Sequence, residues 1–147
     1  MRAARGGAAA DRAIADRSDD LRDAAFEALE QAYAPFSSFR VGAALLGTDG
    51  TVGLGCNIEN AAFPASVCAE RIAVGSLIVR GVRSFTMLVI ATEADHPTPP
   101  CGFCRQVLAE FAPSLPIISV TRSGAEARWT LDVLLPEPFT PHSMDRP

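Results

Sequence analysis

From Asp19 onward the apolar residues recur with the period of a helix, with Leu21, Ala24, Ala25, Ala28, Leu29 and Ala32 on one face. Asp19 or Asp20 is the expected N-cap, and Pro35 closes the run. The period then drops to two. Phe39, Val41, Ala43 and Leu45 alternate with Arg40, Gly42, Ala44 and Leu46, which predicts a strand. Thr48-Asp49-Gly50 is a turn into a second strand over Thr51 to Cys56, so the pair forms a hairpin. Beyond a loop from Asn57 to Ser66, Cys68 to Val79 is a helical run ended by Gly81, and Met87 to Ala91 is a short, wholly apolar strand of the buried kind. The Pro-rich loop Glu93 to Pro100 precedes a helix over Cys101 to Phe111, which stops before Pro113; Ile117 to Val120 is another buried strand. Trp129 and Leu131 begin one further element. The order hairpin, helix, strand, helix, strand predicts an α/β fold, a mixed sheet with helices on both faces.

Residues 1–18 show neither period and are rich in Ala, Arg and Gly, the pattern expected of a mobile leader that carries no chemistry. Residues 19–147 are expected to form a single domain, since 147 residues that are 48% hydrophobic suffice for one core and not for two. The formal net charge is −4 and no Lys/Arg run builds a basic stripe, which argues against a nucleic-acid partner and for a small, uncharged substrate. No apolar run approaches the roughly 18 residues of a membrane span, and the N-terminal stretch lacks a signal-peptide core, so a cytoplasmic protein with no membrane partner is expected. Four cysteines in a chain this size do not resemble a secreted disulfide framework, and two of them stand as C-x-x-C, which points to metal or thiol chemistry.

The C-x-x-C lies in Pro100-Cys101-Gly102-Phe103-Cys104. A cysteine pair at a helix start suits a thioredoxin-type redox site, but such a site usually follows the first βαβ strand, and this one lies in the last third of the chain. A second helix start, at Cys68, also presents a cysteine. Helix N-termini stabilise thiolates, so Cys68, Cys101 and Cys104 converge on one divalent metal if the two helices are neighbours, with a fourth coordination position open. Adding Cys56 would close the site as a four-thiolate structural zinc module, the competing, non-catalytic reading. Glu70 weighs against closure: two residues beyond Cys68, on the first helical turn, its carboxylate reaches the open position and serves as a general acid/base. Cys68-Ala69-Glu70 with Pro100-Cys101-x-x-Cys104 is the combination found in zinc nucleobase deaminases, in which zinc activates a water and the glutamate moves protons.

The stretches YAPFSSFRVGAALL, GCNIENAAF, CAER, PCGFCRQVLAEF and LLPEPF, in that order, make the chain from Asp20 to about Phe139 resemble the small, tetrameric type of cytidine deaminase. The resemblance implies a three-layer α/β/α fold with a mixed five-stranded sheet and one Zn2+ per subunit, held by Cys68, Cys101 and Cys104. It further implies deamination of a free pyrimidine nucleoside, and a homo-oligomer, a tetramer, with shared active sites. It assigns Glu70 the proton transfers, Arg71 a hydrogen bond to zinc-bound sulfur, Asn57 and Glu59 the ribose hydroxyls, and the Ala69 amide the pyrimidine carbonyl. Phe39 and, from a neighbouring subunit, Phe139 pack on the base; the Ala61 to Phe63 stretch closes a neighbour's ribose site. Two residues depart from the pattern. Phe63 stands where the family often has Tyr, which removes a hydrogen bond to the sugar. Phe103 stands where a small residue is usual, and the expectation is that its ring reshapes the wall around the exocyclic group and extends the substrates to N4-, O4- or S4-substituted nucleosides. Gly53-Leu54-Gly55 lacks the third glycine of a dinucleotide fingerprint and carries no cofactor meaning.

Overall fold

Helix α1 spans Gly7–Glu30 in the structure, a computed structural model that describes residues 7–145, with side chains from Arg17 onward. It starts well ahead of Asp19 or Asp20, so the expected N-cap is corrected, and residues 7–18 of the expected leader are helical. Ala8, Ala9, Ala10, Ala13 and Ala15 are the strongest helix formers, and propensity extends the helix where no apolar face is needed. Residues 1–6 of that leader lie outside the described residues. Where α1 meets the domain, Leu21, Ala25 and Leu29 are buried against Ala44, Val89, Ala91, Ile118 and Val120 of the sheet.

That sheet has five strands: β1 (Val41–Gly47), β2 (Val52–Cys56), β3 (Phe85–Thr92), β4 (Pro116–Thr121) and β5 (Glu126–Thr130). Their order is β2-β1-β3-β4-β5, with only β3 and β4 parallel. The expected hairpin is β1 and β2, paired antiparallel from Gly42↔Cys56 to Leu46↔Val52. Two helices, α2 (Ala69–Ile78) and α3 (Gly102–Ala109), lie on the face opposite α1, where Ala43, Leu45, Leu88, Ile90 and Ile117 meet Ala73, Val74, Leu77 and Leu108. A short α4 (Leu131–Leu134) follows β5. The three-layer α/β/α arrangement with a mixed five-stranded sheet is therefore present.

Close packing of these layers accounts for two sequence features. The alternation along β1 separates one covered face from another, since Ala43 and Leu45 belong to one core and Ala44 to the other. A Cβ on Gly42 would stand 1.9 Å from the Ala25 carbonyl oxygen, so only glycine lets α1 lie this near β1. Gly53 and Gly55 do the same for α2: a Cβ on Gly55 would stand 2.0 Å from the Ala69 carbonyl oxygen. The G-L-G of β2 thus lets the N-terminus of α2, with Cys68 and Glu70, settle onto the sheet.

Candidate active site

Cys68 is the N-cap of α2 and Cys101 the N-cap of α3, with Cys104 inside the first turn of α3. The three Sγ atoms lie within 4.8 Å of one another, and those of Cys68 and Cys101 are 3.8 Å apart. Two thiolates at about 2.3 Å from a tetrahedral zinc stand about 3.8 Å apart, so the donor set and its spacing fit that metal. The sulfurs are electrostatically linked. Hydrogen bonding to Cys104, with Arg71 beside it, holds the Cys68 thiol down at about 5, while the same sulfur contact, burial and the nearby Glu70 carboxylate push Cys104 up. Cys56 is outside this cluster; it lines a separate groove with Glu27, Gln31, Leu54 and Ile72, and burial raises its thiol. The four-thiolate alternative is thereby corrected: Gly55 faces α2, so Cys56, the next residue of the strand and the register partner of Gly42, faces the α1 side of the sheet, away from the α2 and α3 N-termini.

A cavity of about 180 Å³ opens beside the sulfurs, lined among others by Phe39, Asn57, Cys68, Ala69, Glu70 and Cys101. Glu70 is buried, 5% exposed, and burial pushes its carboxyl up to about 7, to which the neighbouring Cys68 charge adds. Ala69 is the first residue of α2, so its amide has no acceptor within the helix. Asn57 braces the cavity mouth: its Nδ2 donates to the Phe39 carbonyl (2.7 Å) and its Oδ1 accepts from the Val41 amide (2.8 Å).

Glu59 lies next door, in a depression shared with Phe36, Ser37, Phe63 and Ser66. Its carboxylate accepts hydrogen bonds from the Phe36 and Ser37 amides and the Ser37 hydroxyl, which holds it below the ordinary glutamate range and fixes the loop that leads to Phe39. Phe63 meets Phe36 edge-on at 5.8 Å, and Ala61 is exposed. Phe139 is 60% exposed and does not line the cavity of its own chain; Gln106 grips its backbone at both N and O.

Arg71 donates to Cys68 Sγ (3.9 Å) and to the Ser66 carbonyl (3.3 Å). Phe103 is corrected as a cavity wall. Its ring lies over the Arg71 guanidinium, 4.5 Å from the centroid, is 66% exposed and is absent from the cavity lining. Attraction of a cation to the ring face gives it that direction. The sequence reading missed Ile90, Thr92, Thr98 and Pro99, which also line the cavity, and Arg105, which donates to the Pro100 and Leu134 carbonyls and so ties the cysteine turn to α4. Arg105 and Gln106 follow Cys104 directly in PCGFCRQV, so that motif held the signal; nothing in the sequence singles out the cavity residues of β3.

Residues 16–119 match the family model of the cytidine and deoxycytidylate deaminase zinc-binding region. The chain is 47% identical over 115 residues to a cytidine deaminase of Sporosarcina psychrophila, an alignment covering 78% of this chain and 85% of that one. Its fold is similar to the crystal structure of cytidine deaminase from Burkholderia pseudomallei, at a TM-score of 0.79 and 41% identity over 82% of this chain and 98% of the other. Cytidine deaminase from Mycobacterium tuberculosis gives a TM-score of 0.72 at 37% identity, over 83% of this chain and 96% of the other.

Proposed function

The chain belongs to the cytidine and deoxycytidylate deaminase family, and from that premise we propose that it hydrolyses free cytidine and deoxycytidine to uridine and deoxyuridine with release of ammonia. The observation that carries the reading is a buried carboxyl, Glu70, in one cavity with two of three clustered cysteines. Cys68, Cys101 and Cys104 would hold Zn2+, which when bound would supply the Lewis acidity that makes a water nucleophilic near neutral pH. Glu70 takes a proton from the attacking water and passes it to N3 of the pyrimidine, so that C4 becomes electrophilic and bonds the hydroxyl. It then takes the proton of that C4 hydroxyl and delivers it to the exocyclic amine, whose C–N bond breaks as the C4 carbonyl forms and ammonia leaves. Arg71, bonded to Cys68 Sγ, offsets part of the thiolate charge.

The Ala69 amide takes the pyrimidine carbonyl, Phe39 packs on the base, and Asn57 and Glu59 receive the ribose hydroxyls. Phe39 and Ala69 line one cavity with Glu70, and Glu59 and Phe63 line a separate depression, which supports base and sugar ends; Asn57, assigned to the sugar, stands in the lining of the first. Phe139 and the Ala61 to Phe63 stretch act across a subunit boundary in a homotetramer with shared sites. The exposure of Phe36, Phe63 and Phe139 on a single chain supports it, since aromatics this open are suited to burial against another copy. Sedimentation should give a tetramer, and a fully active monomer would refute the shared site. The cytoplasm suits four unpaired thiols, and no described helix is long and apolar enough to cross a membrane. Extension to C4-substituted nucleosides has lost the support of Phe103.

The deciding experiment is absorbance-monitored deamination of cytidine, deoxycytidine and N4-substituted cytidines, with zinc analysis of the same preparation. One zinc per subunit and turnover of the first two are expected. A zinc-loaded protein inactive on both would overturn the reading.

A further inference from the structure

Thr92 is the last residue of β3, fully buried, and its Oγ1 has no hydrogen-bond partner among the described residues. It follows Ile90 by two positions and so faces the same side of the sheet, the side that carries α2 and α3. Both side chains line the cavity that holds Glu70, Cys68 and Cys101. Nearby polar side chains bond other protein groups. Ser119, on the neighbouring β4, accepts from the Thr98 amide at 3.0 Å, and the Thr121 hydroxyl, paired in register with Thr92, bonds Ser123. Asn57 at the mouth is held by the backbone of residues 39 and 41. A hydroxyl buried without a partner is destabilising, and this one belongs to a residue in the lining of the cavity that the functional reading assigns to the nucleoside.

We propose that Thr92 is a specificity-determining residue of the cavity, its hydroxyl bonding the polar edge of the pyrimidine base of a bound nucleoside. The inference rests on the nucleoside-deaminase reading and adds to it a group that neither the zinc cluster nor the ribose residues supply. The base is the part it meets. Thr92 shares its cavity with Cys68, Cys101 and Glu70, with Asn57 at the mouth, whereas Glu59 and Phe63 line the separate depression assigned to the sugar. A hydroxyl both donates and accepts, so it serves the amino form of the substrate and the carbonyl form of the product alike.

The test replaces the hydroxyl with a methyl of the same shape, Thr92→Val, and compares it with Thr92→Ser. If the hydroxyl is reserved for the ligand, Thr92→Val leaves the melting temperature of the ligand-free protein equal to wild type or higher. At the same time it lowers kcat/KM by about tenfold or more, or about 1.4 kcal/mol, equally for cytidine and deoxycytidine, and reduces the thermal shift produced by uridine. Thr92→Ser should recover most of that loss. Unaltered kinetics in Thr92→Val would overturn the proposal. So would a fall in melting temperature alongside the kinetic loss, the mark of a structural hydroxyl. A loss confined to one of the two sugars would overturn the assignment to the base. Wild-type protein that neither binds nor converts nucleosides would overturn the functional reading and this proposal together, whereas active wild type with an indifferent Thr92→Val sinks the proposal alone.

Discussion

Glu70 and Phe103 stand on the first turns of α2 and α3, yet one is 5% exposed and the other 66%, and that difference separates their roles. Glu70→Gln keeps the size and polarity of a buried side chain while removing its proton, so fold, zinc content and most nucleoside binding should survive and kcat should fall by about 10²-fold or more. Turnover near wild type at full zinc content would sink the assignment. Phe103 acts on Arg71, whose guanidinium it covers and whose Nε is buried with no hydrogen-bond partner among the described residues. Phe103→Ala should therefore leave the ratio of kcat/KM between cytidine and N4-substituted cytidines unchanged while lowering kcat for both, because Arg71 loses the surface that holds it against Cys68. A changed ratio would return the ring to the substrate pocket. The cysteine cluster and the nearby Glu70 were readable in the sequence as candidates because C-A-E and P-C-x-x-C carry their chemistry in local spacing. The direction of the Phe103 ring was not, because a neighbour 32 positions away in the chain determines it.

At the scale of elements, the site depends on how closely α2 approaches β2. Gly55→Ala would drive a methyl into the Ala69 carbonyl, 2.0 Å from the ideal Cβ, and backbone cannot move aside as a flexible side chain can. The expected outcome is a cost of about 1–3 kcal/mol or more in denaturant unfolding, with weakened zinc retention, since Cys68 and Glu70 ride on the displaced turn. Gly75, inside the same helix, is the control. It is exposed with nothing within 4 Å of its ideal Cβ, so Gly75→Ala should raise stability by about 0.5–1 kcal/mol without touching activity. Equal effects at the two positions would show that helix propensity, not the α2–β2 contact, governs both. Strand β5 was the least legible element. Glu126-Ala-Arg-Trp-Thr lies at the sheet edge with one side exposed, so the sequence marked only Trp129 and Leu131.

Across the whole molecule, four charged groups link the ends of distant elements. Arg40 donates its Nε to Glu93 (3.0 Å) and its Nη1 to Glu30 (3.2 Å), and Arg122 bonds both Glu93 (3.1 Å) and Glu30. The network joins the C-terminus of α1, the entry to β1, the exit of β3 and the β4–β5 turn. The Arg40 guanidinium beside Glu93 holds its carboxyl below the ordinary glutamate range. A folded-state value below the unfolded one means that Glu93 contributes stability in full above the ordinary range and loses it as the pH falls through the lowered value. Glu93→Gln should therefore be less stable than wild type near neutral pH and converge on it in acid, between about pH 6 and about pH 3. Melting curves that stay parallel across that interval would remove Glu93 from the acid response. Because these groups are a third to a half exposed, added salt should shrink the difference at neutral pH.

The sequence by itself determined the α/β order, the hairpin, the buried strands and the metal-and-carboxyl chemistry, because hydrophobic period, turn residues and short motifs act over a few positions. Tertiary structure alone decided the rest. Burial on the α2 face raised the Glu70 carboxyl, and the end of β3 placed Thr92 in the cavity lining, its hydroxyl without a partner among the described residues. The same packing excluded Cys56 from the sulfurs and turned Phe103 onto Arg71. Each of these depends on which residues from remote parts of the chain meet once the layers close, a quantity that local spacing does not contain.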